Sequence, residues 1–392
     1  MISFNNTEIA FKYKSNKDLK RAYTMFKLVG KSWLVQFGKW MVPIAFKLRL
    51  PIKGLIKKTI FKQFCGGETI DDCDKTIQIL HENKVGTILD YSVEGKTDEK
   101  DFDFTRDEII ATIEKAKGNK AIPFAVFKPT GLSRHGLLEK LNDVNAEPDV
   151  LERAEFTRVV DRINDICEHA FNSDCPIFID AEESWYQDTL DRVIETMMAR
   201  YNKEKCIVYN TFQMYRHDRL DYIQKSIEKA KREGYKFGAK LVRGAYMEKE
   251  RERAADMGYP SPIQPDKETC DRDFNEATKL MIQEIDHCGL CCGTHNENSS
   301  HLLVELMKEH NISKDDKRVY FAQLLGMSDH ISFNLAFHGY QVAKYVPYGP
   351  VKEVMPYLLR RADENTSVAG QTGRELTLLS RELKRRKGTM TR

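Results

Sequence analysis

Two adjacent arginines near the carboxyl end of the chain are the residues that most clearly suggest chemistry. Arg360 and Arg361 lie in the stretch YLLRRADEN, residues 357–365. On a helix, Tyr357 precedes the pair and Glu364 follows it by three or four residues, so these side chains can contact one another. Guanidinium groups carry forked donors that suit a carboxylate or a phosphate. Because neighbouring cations repel, the pattern indicates an anionic ligand; exposed surface ion pairs, worth about 0–1 kcal/mol each, are the alternative.

The composition is that of a globular chain with a large buried core. The 392 residues are 41% hydrophobic, and the net charge of +3 gives no reason to expect a nucleic-acid-binding protein. Nine cysteines are scattered along the chain, and the odd number fits a reducing compartment better than a disulfide framework. No apolar run reaches the ~18 residues of a spanning helix, and the first twenty residues contain no signal core. We therefore expect a cytoplasmic location.

The chain is predicted to have three parts. Residues 1–83 have the pattern of a helical arm, residues 84–375 that of a catalytic domain, and residues 376–392 form a basic tail. In the arm, the stretch 31–60 mixes lysines with tryptophan, leucine and isoleucine. Amphipathic helices packed on the core are the simpler interpretation, and a surface that contacts anionic lipid is the alternative. A phosphate loop at Gly30 is excluded, because the glycine that the signature needs at 25 is missing.

From about residue 85, eight short β-rich runs alternate with helical stretches such as 149–171 and 219–234. This alternation predicts a parallel sheet, and eight strands are the number that closes a (β/α)8 TIM barrel. An open doubly wound sheet is the alternative, which the absence of a GxGxxG motif after any run disfavours. The predicted strands are 85–92, 121–128, 175–183, 205–213, 235–246, 289–295, 318–327 and 341–349. After the eighth, Pro350 and the pattern to about 363 predict a helix that carries the arginine pair.

Polar side chains end most of the eight runs, where a barrel places its active residues. They are Asp90, Lys128, Asp180, Asn210, Gln213, Lys240, Arg243, Thr294, His295, Asn296 and Tyr345. Lys128 ends an apolar run and could be a Schiff-base nucleophile or a point charge for an anion. Gly244 follows Arg243 and would let a ligand approach the backbone closely. Taken singly, a charged residue at a strand end is usually just entering solvent, so the prediction depends on the barrel bringing these residues together.

A metal site is not expected at the cysteine-rich sixth run. Cys288, Cys291 and Cys292, with His287 and His295 beside them, have one spacing that zinc sites use. No second cysteine pair follows, and neighbouring residues of a strand point to opposite faces. Small apolar packing on a strand is the better interpretation of these cysteines.

Several ordered motifs between about 85 and 370 resemble the proline dehydrogenase family. They are IDAEE (179–183), LVRGAYM (241–247), GTHN (293–296), QLLGM (323–327) and YLLRRADEN (357–365). The resemblance implies a distorted (β/α)8 barrel with FAD bound noncovalently at the carboxyl ends of the strands.

The resemblance also assigns residues to the substrate. They are Lys128, Leu324, Tyr345, Tyr357, Arg360, Arg361 and Glu364. The two arginines and the lysine would hold the proline carboxylate, and Glu364 would orient the arginines. Tyr345 and Leu324 would pack on the pyrrolidine ring, and Tyr357 would support them.

A second set is assigned by the resemblance to the cofactor, with Asp180 and Lys240 as catalytic residues. The set is Asp180, Ala181, Asn210, Lys240, Arg243, Gly244, Ala245, Thr294, His295 and Asn296. Two positions depart from many bacterial members of the family: Asn210 stands where glutamine is common, and Lys240 where arginine is common. Lys240 or Arg243 near the flavin would favour its anionic reduced form.

The implied reaction is oxidation of L-proline to 1-pyrroline-5-carboxylate, the first step of proline catabolism, by hydride transfer from proline C5 to FAD N5. The family passes the electrons to a membrane quinone, so the stretch 31–60 would contact the inner face of a membrane peripherally. A separate pyrroline-5-carboxylate dehydrogenase would take the product, since the short tail leaves no room for a fused one. The alternatives are a hydroxyproline dehydrogenase, whose ring hydroxyl Tyr345 would crowd, a Schiff-base lyase using Lys128, and a non-catalytic binding barrel.

Overall fold

The computed structural model describes residues 2–48, 50–93, 97–367 and 369–390, without the side chains of residues 43, 364–372, 389 and 390. The chain divides into two compact parts. We call residues 1–94 with 323–392 the terminal unit, and residues 95–322 the central unit. The boundaries predicted for an arm, a barrel and a tail stay predictions.

Eight strands close into a barrel, and their order around it is their order along the chain. They are β1 Gly86–Tyr91, β2 Phe124–Phe127, β3 Ile177–Ile179, β4 Val208–Gln213, β5 Phe237–Val242, β6 Cys288–Gly293, β7 Val319–Leu324 and β8 Val342–Tyr348. Neighbouring strands pair in parallel, β1 with β8 in the terminal unit and β2 to β7 in succession. The predicted (β/α)8 barrel and its eight strands are confirmed.

Helices precede the barrel, alternate with its strands and end the chain. They are α1 Thr7–Phe11, α2 Asn16–Val29, α3 Ser32–Lys47, α4 Lys53–Ile56, α5 Lys62–Phe64, α6 Asp74–Glu82, α7 Glu99–Ala116, α8 His135–Asn142, α9 Val150–Asn172, α10 Ser184–Tyr201, α11 Arg219–Glu233, α12 Met247–Met257, α13 Lys267–Gln283, α14 Glu297–Glu309, α15 Asp329–Phe337, α16 Met355–Ser367 and α17 Ala369–Met390. Short turns of π-helix (Lys57–Phe61) and 3-10 helix (Asp71–Cys73, Pro129–Gly131) join some of them. The helices predicted over 149–171 and 219–234 are α9 and α11.

The helix that carries the arginine pair starts later than predicted. It begins at Met355, and residues 351–354 form a turn. The carbonyl of Pro350 accepts hydrogen bonds from the N–H groups of Glu353 at 2.8 Å and Val354 at 3.1 Å, which closes that turn before α16 begins. The proline was a misleading start signal, because proline is common in turns as well as in the first turn of a helix.

Aromatic rings and glycines share the interior of the barrel in the central unit. Phe124 stacks on Phe178 with ring centroids 4.3 Å apart, and Tyr209 meets both rings edge-on. A Cβ atom at Gly238 would lie 2.6 Å from the carbonyl oxygen of Val208, and one at Gly289 would lie 2.4 Å from the hydroxyl of Tyr209. These two strand glycines therefore leave the space that Tyr209 fills.

A capping box fixes the start of the longest helix in the central unit. The side chain of Asp149 accepts from the N–H of Glu152 at 2.9 Å, and the Glu152 carboxylate accepts from the N–H of Asp149 at 2.9 Å. We expect Asp149→Ala to lower the free energy of unfolding by about 1 kcal/mol, because the N–H of Glu152 loses its side-chain acceptor. Urea unfolding measures the change. Asp161→Ala, an exposed position of the same helix, is the control and should change stability by less than about 0.5 kcal/mol; equal effects would contradict the capping role.

A buried ion group joins β8 to the amino-terminal segment of the terminal unit. The Lys344 ammonium, fully buried on β8, lies 2.8 Å from the Asp329 carboxylate at the start of α15. Lys14 Nζ lies 3.2 Å from the same carboxylate, and the hydroxyl of Tyr13 donates to it at 2.7 Å. Although burial raises it, the two ammonium groups hold the pKa of Asp329 well below its usual range. One carboxylate thus neutralises much of the charge of two lysines from distant parts of the chain.

The carboxyl-terminal helix is bound to the same region. Glu375 of α17 accepts from the N–H of Ser328 at 2.5 Å, directly before α15. Arg386, further along α17, donates to the carbonyl oxygens of Phe11 and Lys14 at 2.8 Å each. Both ends of the described chain are therefore held in one polar cluster of the terminal unit.

Candidate active site

Two lysines and one aspartate form a buried ion group at three strands of the central unit. Lys128 follows β2, Asp180 follows β3 and Lys240 lies in β5. Lys128 Nζ donates to one oxygen of Asp180 at 2.9 Å, and Lys240 Nζ donates to the other. The side chains of Lys128, Asp180 and Lys240 are 18%, 13% and 5% exposed. Burial raises the pKa of Asp180, but the two ammonium groups outweigh it and lower the pKa to about 2. The group therefore brings two ammonium groups and a carboxylate from three strands together at the carboxyl ends of the strands.

A second network ties the loops that follow β2 to β5. The carboxylate of Glu182 accepts from the hydroxyl of Thr130 at 2.6 Å and from that of Tyr246 at 3.3 Å. Gln213, the last residue of β4, donates to the backbone oxygen of Glu182 at 2.7 Å and accepts from the N–H of Ala245 at 3.2 Å. These bonds hold the backbone around Ala245 in one position relative to the ends of three other strands.

Glu182 makes this network sensitive to pH. Burial raises the pKa of Glu182 to about 7, against the attraction of Lys128. Between pH 4.5 and 7 the folded protein therefore keeps a proton that the unfolded chain releases, so this group lowers stability as pH rises through that window. We expect Glu182→Gln to remove the effect. The free energy of unfolding of the variant, relative to that of the parent protein, should therefore rise by about 2 kcal/mol from pH 5 to pH 8.

Urea unfolding at pH 5, 6, 7 and 8 measures this gain. Glu147→Gln, at an exposed position, is the matched control and should parallel the parent protein throughout. Parallel stability curves for Glu182→Gln and the parent protein would show that Glu182 is ionised in the folded state at all of these pH values.

Arg243, directly after β5, is held by three side chains, one each from α13, the loop after β6 and α14. Its guanidinium donates to Asp271 of α13 at 2.6 Å, to Thr294 after β6 at 2.7 Å and to Ser299 of α14 at 3.0 Å. The same group lies 4.5 Å from the centroid of the Phe274 ring. The arginine is therefore a rigid positive charge, fixed beside the loop that follows β6.

The Gly-Thr-His-Asn run after β6 shapes the start of α14. Asn296 caps the helix, because its side-chain oxygen accepts from the N–H groups of Asn298 at 2.9 Å and Ser299 at 3.1 Å. The hydroxyl of Thr294 accepts from the N–H of Asn296 at 3.1 Å. His295 lies between them and is half-buried. The loop is thus ordered by its own side chains.

Gly244 has a backbone conformation that other residues rarely adopt. Its φ is +136°, and a Cβ atom there would lie 2.5 Å from the ring of Tyr215. The next residue, Ala245, is the one bound by Gln213. Ala181 is half-buried between Asp180 and Glu182. The glycine therefore sets the direction in which the chain leaves β5.

Asn210 is placed differently from the ion group. Its side chain is buried and donates to Asp191 of α10 at 2.8 Å, and Arg219 of α11 donates to the same carboxylate at 2.7 Å. The neighbouring Tyr209 packs in the barrel interior, so alternation along β4 turns Asn210 towards the helices. Gln213 is the amide of β4 that the structure brings to the loops around Glu182.

The arginine pair lies in α16 of the terminal unit. Arg360 and Arg361 are half-buried, and the guanidinium of Arg361 lies 5.5 Å from the centroid of the Tyr357 ring. This is the contact expected from their three- and four-residue spacing. Glu364 lies in the same helix, and its side chain is outside the described residues.

The two residues predicted to pack on a substrate ring also lie in the terminal unit. Tyr345 is buried on β8 opposite Ile88 of β1. Leu324 ends β7 and packs against the hydrophobic cluster that contains Tyr357. Leu324 and Tyr357 are therefore parts of one apolar surface.

The cysteines of β6 are buried strand residues. Cys288, Cys291 and Cys292 lie in the interior, and burial raises the pKa of each thiol well above its usual range. Over the described part of the chain, no group of three or more His, Cys, Asp or Glu side chains is arranged to hold a metal ion.

Sequence reasoning gave no role to several residues that order the site. Glu182 had a usable signal, since it lies in the IDAEE motif, whereas Gln213 was among the polar residues predicted at the strand ends but was not assigned to a ligand. Asp271 and Ser299 had none, because they lie within helices and only the fold brings them to Arg243.

The barrel and the charged ends of its strands define a (β/α)8-barrel enzyme, since such enzymes take their active residues from this edge. Among solved structures, the fold is similar to that of proline utilization A from Bdellovibrio bacteriovorus, with a TM-score of 0.72 over 92% of this chain and 38% of that chain at 20% identity. A second similar structure is proline utilization A from Bradyrhizobium japonicum, with a TM-score of 0.66 over 81% of this chain.

The chain belongs to the proline dehydrogenase family, whose model, described as "Proline dehydrogenase", matches residues 73–374. "Proline dehydrogenase 1, mitochondrial" of Dictyostelium discoideum is 32% identical over 95% of this chain and 73% of its own length. The human protein of the same name is 40% identical over 66% of this chain and 44% of its own length. "Hydroxyproline dehydrogenase" of Xenopus laevis is 30% identical over 98% of this chain and 90% of its own length.

No helix in the described part of the chain is both long enough and apolar enough to cross a bilayer.

Proposed function

We propose that this chain oxidises L-proline to 1-pyrroline-5-carboxylate with FAD as cofactor. The observation that carries the proposal is the arginine pair of α16, packed beside Tyr357 in a member of the proline dehydrogenase family. Two adjacent guanidinium groups offer forked donors to a carboxylate, which every amino-acid substrate carries. Arg360 and Arg361 bind that carboxylate and so fix the orientation of the ring, and Tyr345 and Leu324 pack against its apolar carbons.

The residues at the strand ends of the central unit are of the types that a flavin nucleotide needs. FAD, when bound, would supply the acceptor for the two electrons that proline loses. Lys240 offers a cationic donor, Gln213 an amide and Arg243 a fixed guanidinium, which together suit carbonyl and phosphate oxygens. Asp180 accepts a hydrogen bond from the ammonium of Lys240 and so holds it in place. The assignments of Ala181, Gly244, Ala245, Thr294, His295 and Asn296 to the cofactor, and of Lys128 to the substrate, remain predictions.

A visible spectrum tests the proposal. The purified protein is expected to be yellow, and anaerobic L-proline is expected to bleach the flavin band. L-Valine, which has the same carboxylate and amine without the ring, is the control and should leave the band unchanged. A bound flavin that stays oxidised with proline, or a protein that binds no FAD, would overturn the proposal.

Hydroxyproline oxidation is the second candidate, favoured by the similarity to the Xenopus laevis hydroxyproline dehydrogenase over nearly the whole chain. The phenol ring of the buried Tyr345 would crowd a ring hydroxyl, so we expect kcat/KM for L-proline to exceed that for trans-4-hydroxy-L-proline by about tenfold or more. Steady-state assays with both substrates and one dye acceptor measure the ratio. A ratio below one would make hydroxyproline the substrate.

A Schiff-base lyase has less support. An amine must be neutral to attack a carbonyl, whereas the Asp180 carboxylate at 2.9 Å from Lys128 favours the charged ammonium. Borohydride reduction in the presence of substrate would leave a covalent adduct on Lys128 if the lyase reaction occurred.

We propose that the electrons pass on to a quinone and that a separate pyrroline-5-carboxylate dehydrogenase consumes the product. The family membership supports the transfer of electrons to a quinone, and a soluble quinone analogue tests it. Anaerobic addition of the analogue to the proline-reduced protein should restore the oxidised flavin spectrum.

The cytoplasmic location also remains a prediction, and the Dictyostelium discoideum and human relatives carry the word mitochondrial in their names.

A further inference from the structure

Helix α3 of the terminal unit exposes one apolar face. Trp33 and Trp40 are 66% and 64% exposed. The face consists of large apolar side chains at three- and four-residue spacing, all of them exposed: Trp33, Phe37, Trp40, Met41, Ile44 and, just after the helix, Leu48. On a helix this spacing places them within an arc of about 100°. The rings of Phe37 and Trp40 contact each other, with centroids 6.2 Å apart.

The opposite face of the same helix is also apolar and is packed. Val35 and Ala45 are buried, and Val42 and Phe46 pack against the cluster that contains Phe61 and Tyr357. The exposed face is therefore not needed for attachment of α3 to the protein. Large aromatic side chains on a solvent-facing surface mark an interaction site when they are contiguous.

The charged residues of the segment that carries this face are all basic, and one of them, Lys39 of α3, pairs with Asp363 at 2.7 Å. Between Asp18 and Glu68 the sequence has eleven Lys or Arg residues and no Asp or Glu. Lys31 precedes α3, Lys47 ends it and Lys58 follows it, and all three are exposed. Lys53 and Lys57 pair with Glu68 at 2.9 and 2.6 Å. A partner for this surface must therefore be apolar at its centre and anionic at its edge.

We propose that the exposed face of α3 binds the surface of an anionic lipid bilayer, with the helix lying in the plane of the membrane. Such a helix inserts its apolar face about 5–10 Å below the headgroups, where indole rings are most favourable. The flanking lysines would lie at the level of the lipid phosphates, each attracted by about 1 kcal/mol. A second copy of the chain fits less well, because a symmetric contact would bring the two lysine-rich segments together.

Co-sedimentation with vesicles tests the proposal and needs no catalytic activity, so its outcome is independent of the proposed function. The protein is expected to bind vesicles of phosphatidylcholine with about 30% of the anionic lipid phosphatidylglycerol, and to bind pure phosphatidylcholine much more weakly. Raising NaCl from 0.1 to 0.5 M should weaken binding, because it shortens the Debye length. The double substitution Trp33→Ser with Trp40→Ser should lower the partition coefficient by about tenfold or more.

Two control variants test whether vesicle binding depends on the α3 face or on exposed aromatic residues in general. Phe337→Ser and Phe104→Ser replace aromatic residues that are 64% and 55% exposed elsewhere on the protein, and both should bind vesicles like the parent. Proline oxidation with a soluble dye and no vesicles should be equal in all variants. This comparison confirms that the tryptophan substitutions leave the fold intact.

Tryptophan emission reports the orientation directly. The chain has three tryptophans, of which Trp33 and Trp40 lie on the face and Trp185 lies in the central unit. Anionic vesicles should shift the emission to shorter wavelength, and lipids brominated near the headgroup should quench it. In Trp33→Phe with Trp40→Phe, the protein should still bind while both signals disappear.

Three results would overturn the proposal: no binding to anionic vesicles, equal binding by the serine double variant, or an unchanged emission on binding. A parent dimer that the serine substitutions convert to a monomer, without vesicle binding, would assign the face to a second copy instead.

Discussion

Asp180→Asn is expected to lower the free energy of unfolding by about 3 kcal/mol and to abolish most of the activity. The substitution removes the carboxylate that the ammonium groups of Lys128 and Lys240 share, and removing one partner of a buried ion pair costs about 3–5 kcal/mol. In the proposed enzyme the same change frees Lys240 from its fixed position. We therefore expect kcat/KM for proline to fall by at least about a hundredfold, which corresponds to losing one charge-assisted contact or more.

The stability change is measured by urea unfolding at pH 7. Repeating the measurement at lower pH tests whether the change depends on the ionised Asp180 carboxylate. Because the pKa of Asp180 is lowered to about 2 in the folded state, its contribution to stability is complete above the unfolded pKa of about 4 and is lost as pH falls through 2. The difference between variant and parent should therefore shrink below pH 4.

Asp221→Asn provides the control for Asp180→Asn. Asp221 pairs with Lys225 on the same helix at 2.6 Å, and both side chains are about 70% exposed, so removing this charge should cost less than about 0.5 kcal/mol. If the two asparagine variants were equally stable, the ion group at the strand ends would contribute no more than a surface pair.

Arg361→Met is expected to raise the KM for proline by about a hundredfold and to leave FAD bound. The substitution keeps the length and apolar body of the side chain beside Tyr357 and removes its forked donors. Hydrogen bonds to a charged group contribute about 1.5–3 kcal/mol each, and a factor of one hundred is about 2.7 kcal/mol. Steady-state kinetics gives KM, and the ratio of flavin to protein absorbance gives the bound FAD.

Two further variants make the result specific for Arg361. Arg361→Lys keeps the charge without the planar fork and should raise KM by a smaller factor than methionine does. Arg381→Met removes an exposed arginine of α17, and its KM should equal that of the parent protein. An unchanged KM in Arg361→Met would refute the carboxylate role, and a loss of flavin would place Arg361 at the cofactor instead.

The order and type of the barrel strands could be predicted from the sequence, because each strand is a short apolar run between charged stretches. The bounds were less accurate. The run 175–183 is a strand only over Ile177–Ile179, since the motif that follows it leaves the sheet in an extended conformation. Extended loops and strands share residue preferences, so sequence patterns separate them poorly.

The contacts within the site could be predicted only in part. Barrel topology places Lys128, Asp180 and Lys240 at the same edge, but nothing in their spacing shows that both lysines share one carboxylate. The direction of Asn210 depends on which residue of β4 enters the interior. Tyr209 does so because Gly238 and Gly289, far away in sequence, leave room for its ring. Sequence spacing alone cannot supply such long-range steric information.

The polar cluster around Asp329 limits how far the chain can be shortened from either end. Removing residues up to and including Lys14 would take the hydroxyl of Tyr13 and the ammonium of Lys14 away from the Asp329 carboxylate. The buried pair of Asp329 with Lys344 would then have lost both contacts to the amino-terminal segment. Ending the chain before Glu375 would strip the acceptor from the backbone at Ser328. Affinity tags or fusion partners should therefore be joined outside these two positions, since trimming past either one would expose or orphan the same buried charges.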